Sequence, residues 1–112
     1  MKRRFRLTRT TDFKRVRRFG RSFAHPLVVL VVLPDEAGKL RFGITAGRSV
    51  GGAVQRNRAK RLLRSVVWPL LQQVNPGWSA ILIARQPILE APYGELQSAI
   101  RILLERARLL RD

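Results

Sequence analysis

Apolar residues recur along the chain with two periods. Leu27 to Leu33 is an unbroken aliphatic run rich in valine and bounded by Pro26 and Pro34, the pattern of a strand buried on both faces. Leu40 to Ala46 reads as a second strand across a loop, Asp35 to Lys39, that holds a glycine, so the two strands are expected to pair as a hairpin. Ser79 to Ala84 is a third strand, after a break at Asn75, Pro76 and Gly77.

Three segments carry helical periodicity. Phe13, Val16 and Phe19 fall on one side of a short helix that Thr10 or Thr11 caps, with Asp12 in its first turn and Gly20 closing it. The other side holds Lys14, Arg15, Arg17 and Arg18. Val54, Leu62, Leu63, Val66, Val67, Leu70, Leu71 and Val74 mark a longer amphipathic helix that Pro69 kinks or splits near its end. Pro92 opens a C-terminal helix whose apolar face includes Leu96, Ala99, Ile100, Leu103, Leu104 and Ala107. The order α-β-β-α-β-α describes an α+β fold, a sheet layer covered by helices, in a single domain spanning residues 1–112.

Length and composition bound this picture. The 112 residues are enough to remove roughly 65% of the unfolded surface from water, so a self-sufficient core is expected. The absence of cysteine excludes disulfides, thiolate metal sites and cysteine nucleophiles, and is compatible with a reducing cytoplasm, the location expected here. The single His25 excludes a His-pair metal site, and its place before Pro26 reads as structural. The longest apolar run has seven residues where a membrane span needs ~20, and no apolar stretch of signal-peptide length follows the basic start.

Charge changes the picture most. Against seven acidic residues stand 23 basic ones, of which 19 are arginine, for a net +16. Residues 1–21 contribute +9 and residues 48–64 contribute +6, the latter without one carboxylate. Two nearly acid-free blocks separated by neutral core sequence point to phosphate-facing patches, and arginine grips phosphate bidentately. Nucleic acid is therefore the expected partner, with residues 1–9 as a flexible basic arm. No catalytic site is expected, because Asp12, Asp35, Glu36, Glu90, Glu95, Glu105 and Asp112 are scattered, with no base beside any serine or threonine. Gly47, Gly51 and Gly52 match neither a P-loop nor a dinucleotide fingerprint. No metal site is expected either.

The segment from Gln55 to Arg64 concentrates the charge. On a helix, Arg56, Lys60 and Arg64 align, with Asn57, Arg61 and Arg64 in an adjacent row, so one face is almost wholly cationic. Like charges at this spacing repel by a few tenths of a kcal/mol per pair, an arrangement that a polyanionic ligand explains. The Gly51-Gly52 turn just before it would expose backbone N–H groups at the helix's positive end.

Arg56-Asn57-Arg58, followed by Lys60-Arg61 and Arg64, resembles the signature helix of the bacterial ribonuclease P protein component. Leu7, Asp12, Phe13, Val16 and Gly20 resemble that family's N-terminal pattern, Arg41-Phe42-Gly43-Ile44 its second strand, Gly51 to Val54 the approach to its signature, and Ile81 to Arg85 its last strand. The match runs from about Leu7 to Leu104. The resemblance implies an α/β sandwich with a central, mostly antiparallel sheet and an unusual left-handed crossover through the signature helix, against the ~98% right-handed rule. It implies a holoenzyme in which a large RNA is the catalyst and uses Mg²⁺ to remove the 5′ leader of precursor tRNA, with the protein as accessory subunit. It assigns contacts with the catalytic RNA to Arg48, Arg56, Asn57, Arg58, Lys60, Arg61 and Arg64. A leader-binding cleft between the first helix and the sheet carries over to Phe13, with Arg9, Lys14 and Arg17 beside it. Phe13 also has a reading as a core residue. Arg17 and Val31 stand where relatives often present aromatics, which shifts the expected leader contact toward phosphate. The rival readings are a general structured-RNA-binding protein of ribosomal or chaperone-like kind, a helix-turn-helix DNA binder and a protein-only nuclease.

Overall fold

The computed structural model describes residues 5–111. In chain order they form α1 (Thr10–Phe19), β1 (Arg21–Ala24), β2 (Val28–Pro34), β3 (Leu40–Ala46), α2 (Ala53–Val67), β4 (Trp78–Ala84) and α3 (Tyr93–Arg106), with short 3₁₀ turns at Arg48–Val50, Trp68–Gln73 and Gln86–Leu89. The fold is α+β, one sheet with strand order β1-β2-β4-β3. β1 with β2 and β2 with β4 are antiparallel, whereas β3 runs parallel to β4 and joins it by a crossover through α2.

The expected hairpin between β2 and β3 does not form, because β4 lies between them. Trp78 stands opposite Pro34 on one side and Leu40 on the other, so the loop 35–39 straddles the start of β4. Asp35 holds it there. Its N–H donates to the Gly77 carbonyl at 2.9 Å, and the Gly77 N–H donates to the Lys39 carbonyl at 3.1 Å. Its carboxylate accepts the Lys39 N–H at 2.8 Å and the Ser79 hydroxyl at 3.0 Å, and lies 3.9 Å from Arg41 Nε. Gly77 takes a φ of +93°, which a side chain would strain.

β1 adds a strand to the expected order. Its sequence, Arg-Ser-Phe-Ala, is too short and polar to announce itself, and only Phe23 is half-buried. Its pairing with β2 is closed by a turn in which the His25 N–H donates to the Val28 carbonyl and His25 Nδ1 accepts the Leu27 N–H at 3.1 Å. His25 is thus a turn residue.

Alternate strand residues divide the core into two. Val28, Leu30, Val32, Leu40, Phe42, Ala80 and Leu82 face the side covered by α2 and α3, where they meet Ala59, Leu63, Val66, Val67, Leu96, Ile100, Leu103 and Leu104. On the other side Val31 and Ile81 form a smaller core with Val16 of α1 and Leu7, ringed by half-buried Phe13, Val29, Leu33 and Ile83. One face of the sheet carries two long helices. The other carries a single helix of ten residues.

Three local expectations change on this side. Residues 1–4 of the expected arm lie outside the described residues, but from Arg6 the chain is anchored: Arg6 bridges Phe42 in parallel, and the Leu7 N–H donates to the Phe42 carbonyl at 2.9 Å. Leu7 is buried because it completes the small core. Neither Thr10 nor Thr11 caps α1, which starts after extended Arg9, whose carbonyl accepts the N–H groups of Asp12 and Phe13. Phe19 does not face the core; it is 65% exposed, with the Arg18 guanidinium 5.2 Å from its ring centre. Pro69, which has no N–H to continue an α-helix, ends α2 at Val67 and turns the chain into the 3₁₀ segment, as its position in the sequence implies.

Candidate nucleic-acid interface

The packing of α2 sorts its cations. Ala59, Leu63, Val66 and Val67 take the inward stripe, so Asn57, Arg58 and Arg61 form an exposed outer ridge, while Arg56, Lys60 and Arg64 are half-buried along its flank. Arg48 is exposed in the 3₁₀ turn that leads into the helix. The ion pairs among the described residues are Arg15–Asp12, Arg15–Glu36 and Arg41–Asp35, so none of the cations of α2 has a carboxylate partner there. No side chain caps the start of α2, and the intrahelical ladder begins with the Arg56 N–H on the Gly52 carbonyl. The amides of residues 53–55 precede that bond at the positive end of the helix. A row of guanidinium groups ending on free amides is a surface for phosphates.

On the opposite sheet face, Phe13 is set by a glycine. A Cβ built on Gly43 would lie 2.5 Å from Cζ of Phe13, so the ring rests edge-on against bare strand backbone. Phe13 therefore packs with the small core and also lines a cleft of about 240 Å³ with Arg6, Leu7, Thr8, Phe42, Ile44 and Arg64. The cleft joins the two groups of site residues at one point, Phe13 and Arg64. Arg9, Lys14 and Arg17 are exposed on or beside α1 but do not line it. Val31 is buried against the small core and offers no surface to a ligand.

Sequence reasoning missed Arg6, Thr8 and Ile44 as cleft residues. Arg6 belonged to the first basic block, and its assignment to a free arm hid it; the signal was Leu7, an apolar residue in a basic stretch, which marks where the chain docks. Among the described residues no three His, Asp or Glu side chains converge. No helix among them is long and apolar enough to cross a membrane.

The family model for ribonuclease P matches residues 1–108. The chain is 42% identical over 112 residues to the ribonuclease P protein component of Herpetosiphon aurantiacus, covering 100% of this chain and 91% of that one. It is 44% identical over 111 residues to that of Symbiobacterium thermophilum, covering 98% and 96%. Among solved structures, it superposes on the Staphylococcus aureus RNase P protein with a TM-score of 0.84 at 26% identity, covering 96% of this chain and 98% of that one. The fold is also that of the Thermotoga maritima RNase P protein, with a TM-score of 0.79 at 23% identity over 90% of this chain and 96% of that one.

Proposed function

The chain belongs to the ribonuclease P protein family, which makes it the protein subunit of a ribonuclease holoenzyme, and from that premise we propose that it binds the catalytic RNA through α2 and the 5′ leader of precursor tRNA through the cleft at Phe13. The observation that carries the reading is the cationic ridge of α2, whose charges have no carboxylate partner among the described residues. Arg48, Arg56, Arg58, Lys60, Arg61 and Arg64 neutralise crowded backbone phosphates of the RNA. Asn57 sits among them as a neutral donor and acceptor for a phosphate or a base edge.

Phe13, with its edge against Gly43, offers a base a ring face on which to stack, worth ~1–3 kcal/mol without choosing the base, as a leader of variable sequence requires. Arg9, Lys14 and Arg17 hold leader phosphates along the exposed side of α1, and Arg64 stands where both RNAs meet. The RNA subunit supplies the catalysis and uses Mg²⁺ for hydrolysis of the phosphodiester. The protein's part is to reduce phosphate repulsion, so that less Mg²⁺ is needed, and to favour precursor over mature tRNA, as a subunit working in the cytoplasm.

The test is cleavage of precursor tRNA at low Mg²⁺ by a bacterial ribonuclease P RNA, with the protein, without it, and by the protein alone. Cleavage at the mature 5′ end only when both are present is the expected result. Tight RNA binding with no stimulation would turn the reading toward a general RNA-binding protein, and cleavage by the protein alone would overturn the accessory role.

A further inference from the structure

A groove of about 930 Å³ opens at the start of β3, lined among others by Arg6, Lys39, Arg41, Trp68, Gln72 and Arg111. It lies at the far end of α2 from Arg48, since Trp68 follows the last residue of that helix. The chain's C-terminal part closes one side: the Arg111 N–H donates to the Gln73 carbonyl at 2.7 Å, and Val74 and Leu110 form an antiparallel bridge. Leu40, Leu71 and Val74 give it an apolar lining, while Trp68 remains 40% exposed.

Four cations line the same groove as this aromatic. Arg6, Lys39 and Arg111 are exposed and stand in no ion pair among the described residues, and the one carboxylate near Arg41, Asp35, is 5% exposed and already holds Ser79 and the Lys39 N–H. A half-exposed indole in a groove that three unpaired cations and Arg41 also line fits an unpaired base flanked by phosphates. A second copy of a chain carrying +16 fits it badly.

Arg6 also lines the cleft that holds Phe13 and Arg64, so the two depressions share a wall. Resting on the leader reading above, we propose that the groove receives the upstream part of the same single-stranded leader. Nucleotides near the cleavage site occupy the cleft at Phe13, the backbone passes Arg6, and a more distal base stacks on Trp68 while Lys39, Arg41 and Arg111 hold its phosphates. The protein thus has two leader sites in series, and affinity rises again when the leader is long enough to reach the second.

The experiment measures equilibrium binding of the reconstituted holoenzyme to mature tRNA and to precursors with leaders of ~4 and ~12 nucleotides, within the range of single-strand site sizes. The long leader is expected to bind more tightly than the short one, and Trp68→Ala to cut that advantage by about five-fold or more while short-leader and mature tRNA binding stay unchanged. Trp68→Phe is expected to keep most of the advantage. Lys39→Glu, a change at an exposed loop cation that leaves the core intact, is expected to reduce the same advantage and its salt dependence. An advantage independent of Trp68 and Lys39, or equal weakening of all three RNAs, would overturn the second site. If the wild-type holoenzyme prefers precursor to mature tRNA through Phe13 but shows no Trp68-dependent length effect, only the groove assignment fails. If it shows no precursor preference at all, the leader reading fails and takes the groove with it.

Discussion

On α1, Arg15 lies 3.8 Å from Asp12 and 3.5 Å from Glu36, whereas on α2 the cations have no carboxylate partner among the described residues. The two helices differ in the same way in their footing. α1 buries Val16 alone, over the smaller core, and α2 buries four residues against the larger one. Burying an aliphatic side chain of leucine size contributes about 1.5–3 kcal/mol, against a few tenths for each like-charge pair at helical spacing. On the helix with the deeper anchor no cation has a carboxylate partner among the described residues; on the shallow one Arg15 alone is paired, and the Phe13 ring on Gly43 adds to its footing.

The strongest way to break this contrast is to remove its outer ridge. Arg58→Ala with Arg61→Ala is expected to weaken assembly with the catalytic RNA by about 3 kcal/mol at low salt, two charge-assisted contacts, with the fold unchanged. With ~6 phosphates neutralised, the log–log salt slope of the wild type is expected near −4 to −5, and the double variant to lower its magnitude by roughly 1.5. A wild-type slope near zero would refute the electrostatic account.

Gly43→Ala tests the shallow footing. The new methyl would meet the Phe13 ring, and the expected cost is about 1–3 kcal/mol of stability, read as a lower thermal midpoint, together with weaker precursor binding. Phe13→Ala separates cleft from scaffold: it is expected to weaken precursor binding by ~1–3 kcal/mol and to leave mature tRNA binding unchanged. Equal losses on both RNAs would mean that Phe13 serves only the core. The smallest effect is expected from Glu36→Gln, whose partner contact with Arg15 is 87% exposed on the glutamate side and screened by solvent. A change within about 0.5 kcal/mol in chemical denaturation is expected, and a larger one would make that pair a genuine clamp on α1.

Most elements were legible because their signals are local. The unbroken runs at β2 and β4 mark interior strands of the sheet, and the stripe from Leu63 to Val67 with Pro69 behind it marks α2 and its end. Strand order was not legible, since a five-residue loop permits a hairpin and nothing near Asp35 says that its carboxylate will reach Ser79, in a different part of the chain. Spacing put Asn57 and Arg61 in one row of α2, but Arg58 entered only with the resemblance, and the aligned row Arg56, Lys60 and Arg64 is half-buried because it flanks the inward stripe. The cleft could not be read from spacing, because it depends on Leu7 docking beside β3 and on the missing side chain at Gly43.

The insertion of β4 between β2 and β3 also fixes an order of events in folding. Apart from the bridge at Arg6, β3 has no partner in the sheet until Trp78–Ala84 arrives, and that strand follows the whole of α2. Closing this parallel pair is a non-local step whose loop entropy must be overcome before the contacts form. During synthesis from the N terminus, β2 and β3 therefore emerge with open edges, and the sheet closes only after the cationic helix has left the ribosome. A nascent chain stopped before Trp78 has β2 paired with β1 on one edge but open on the other, and β3 with no strand partner beyond the bridge at Arg6, the interval in which it is most exposed to aggregation.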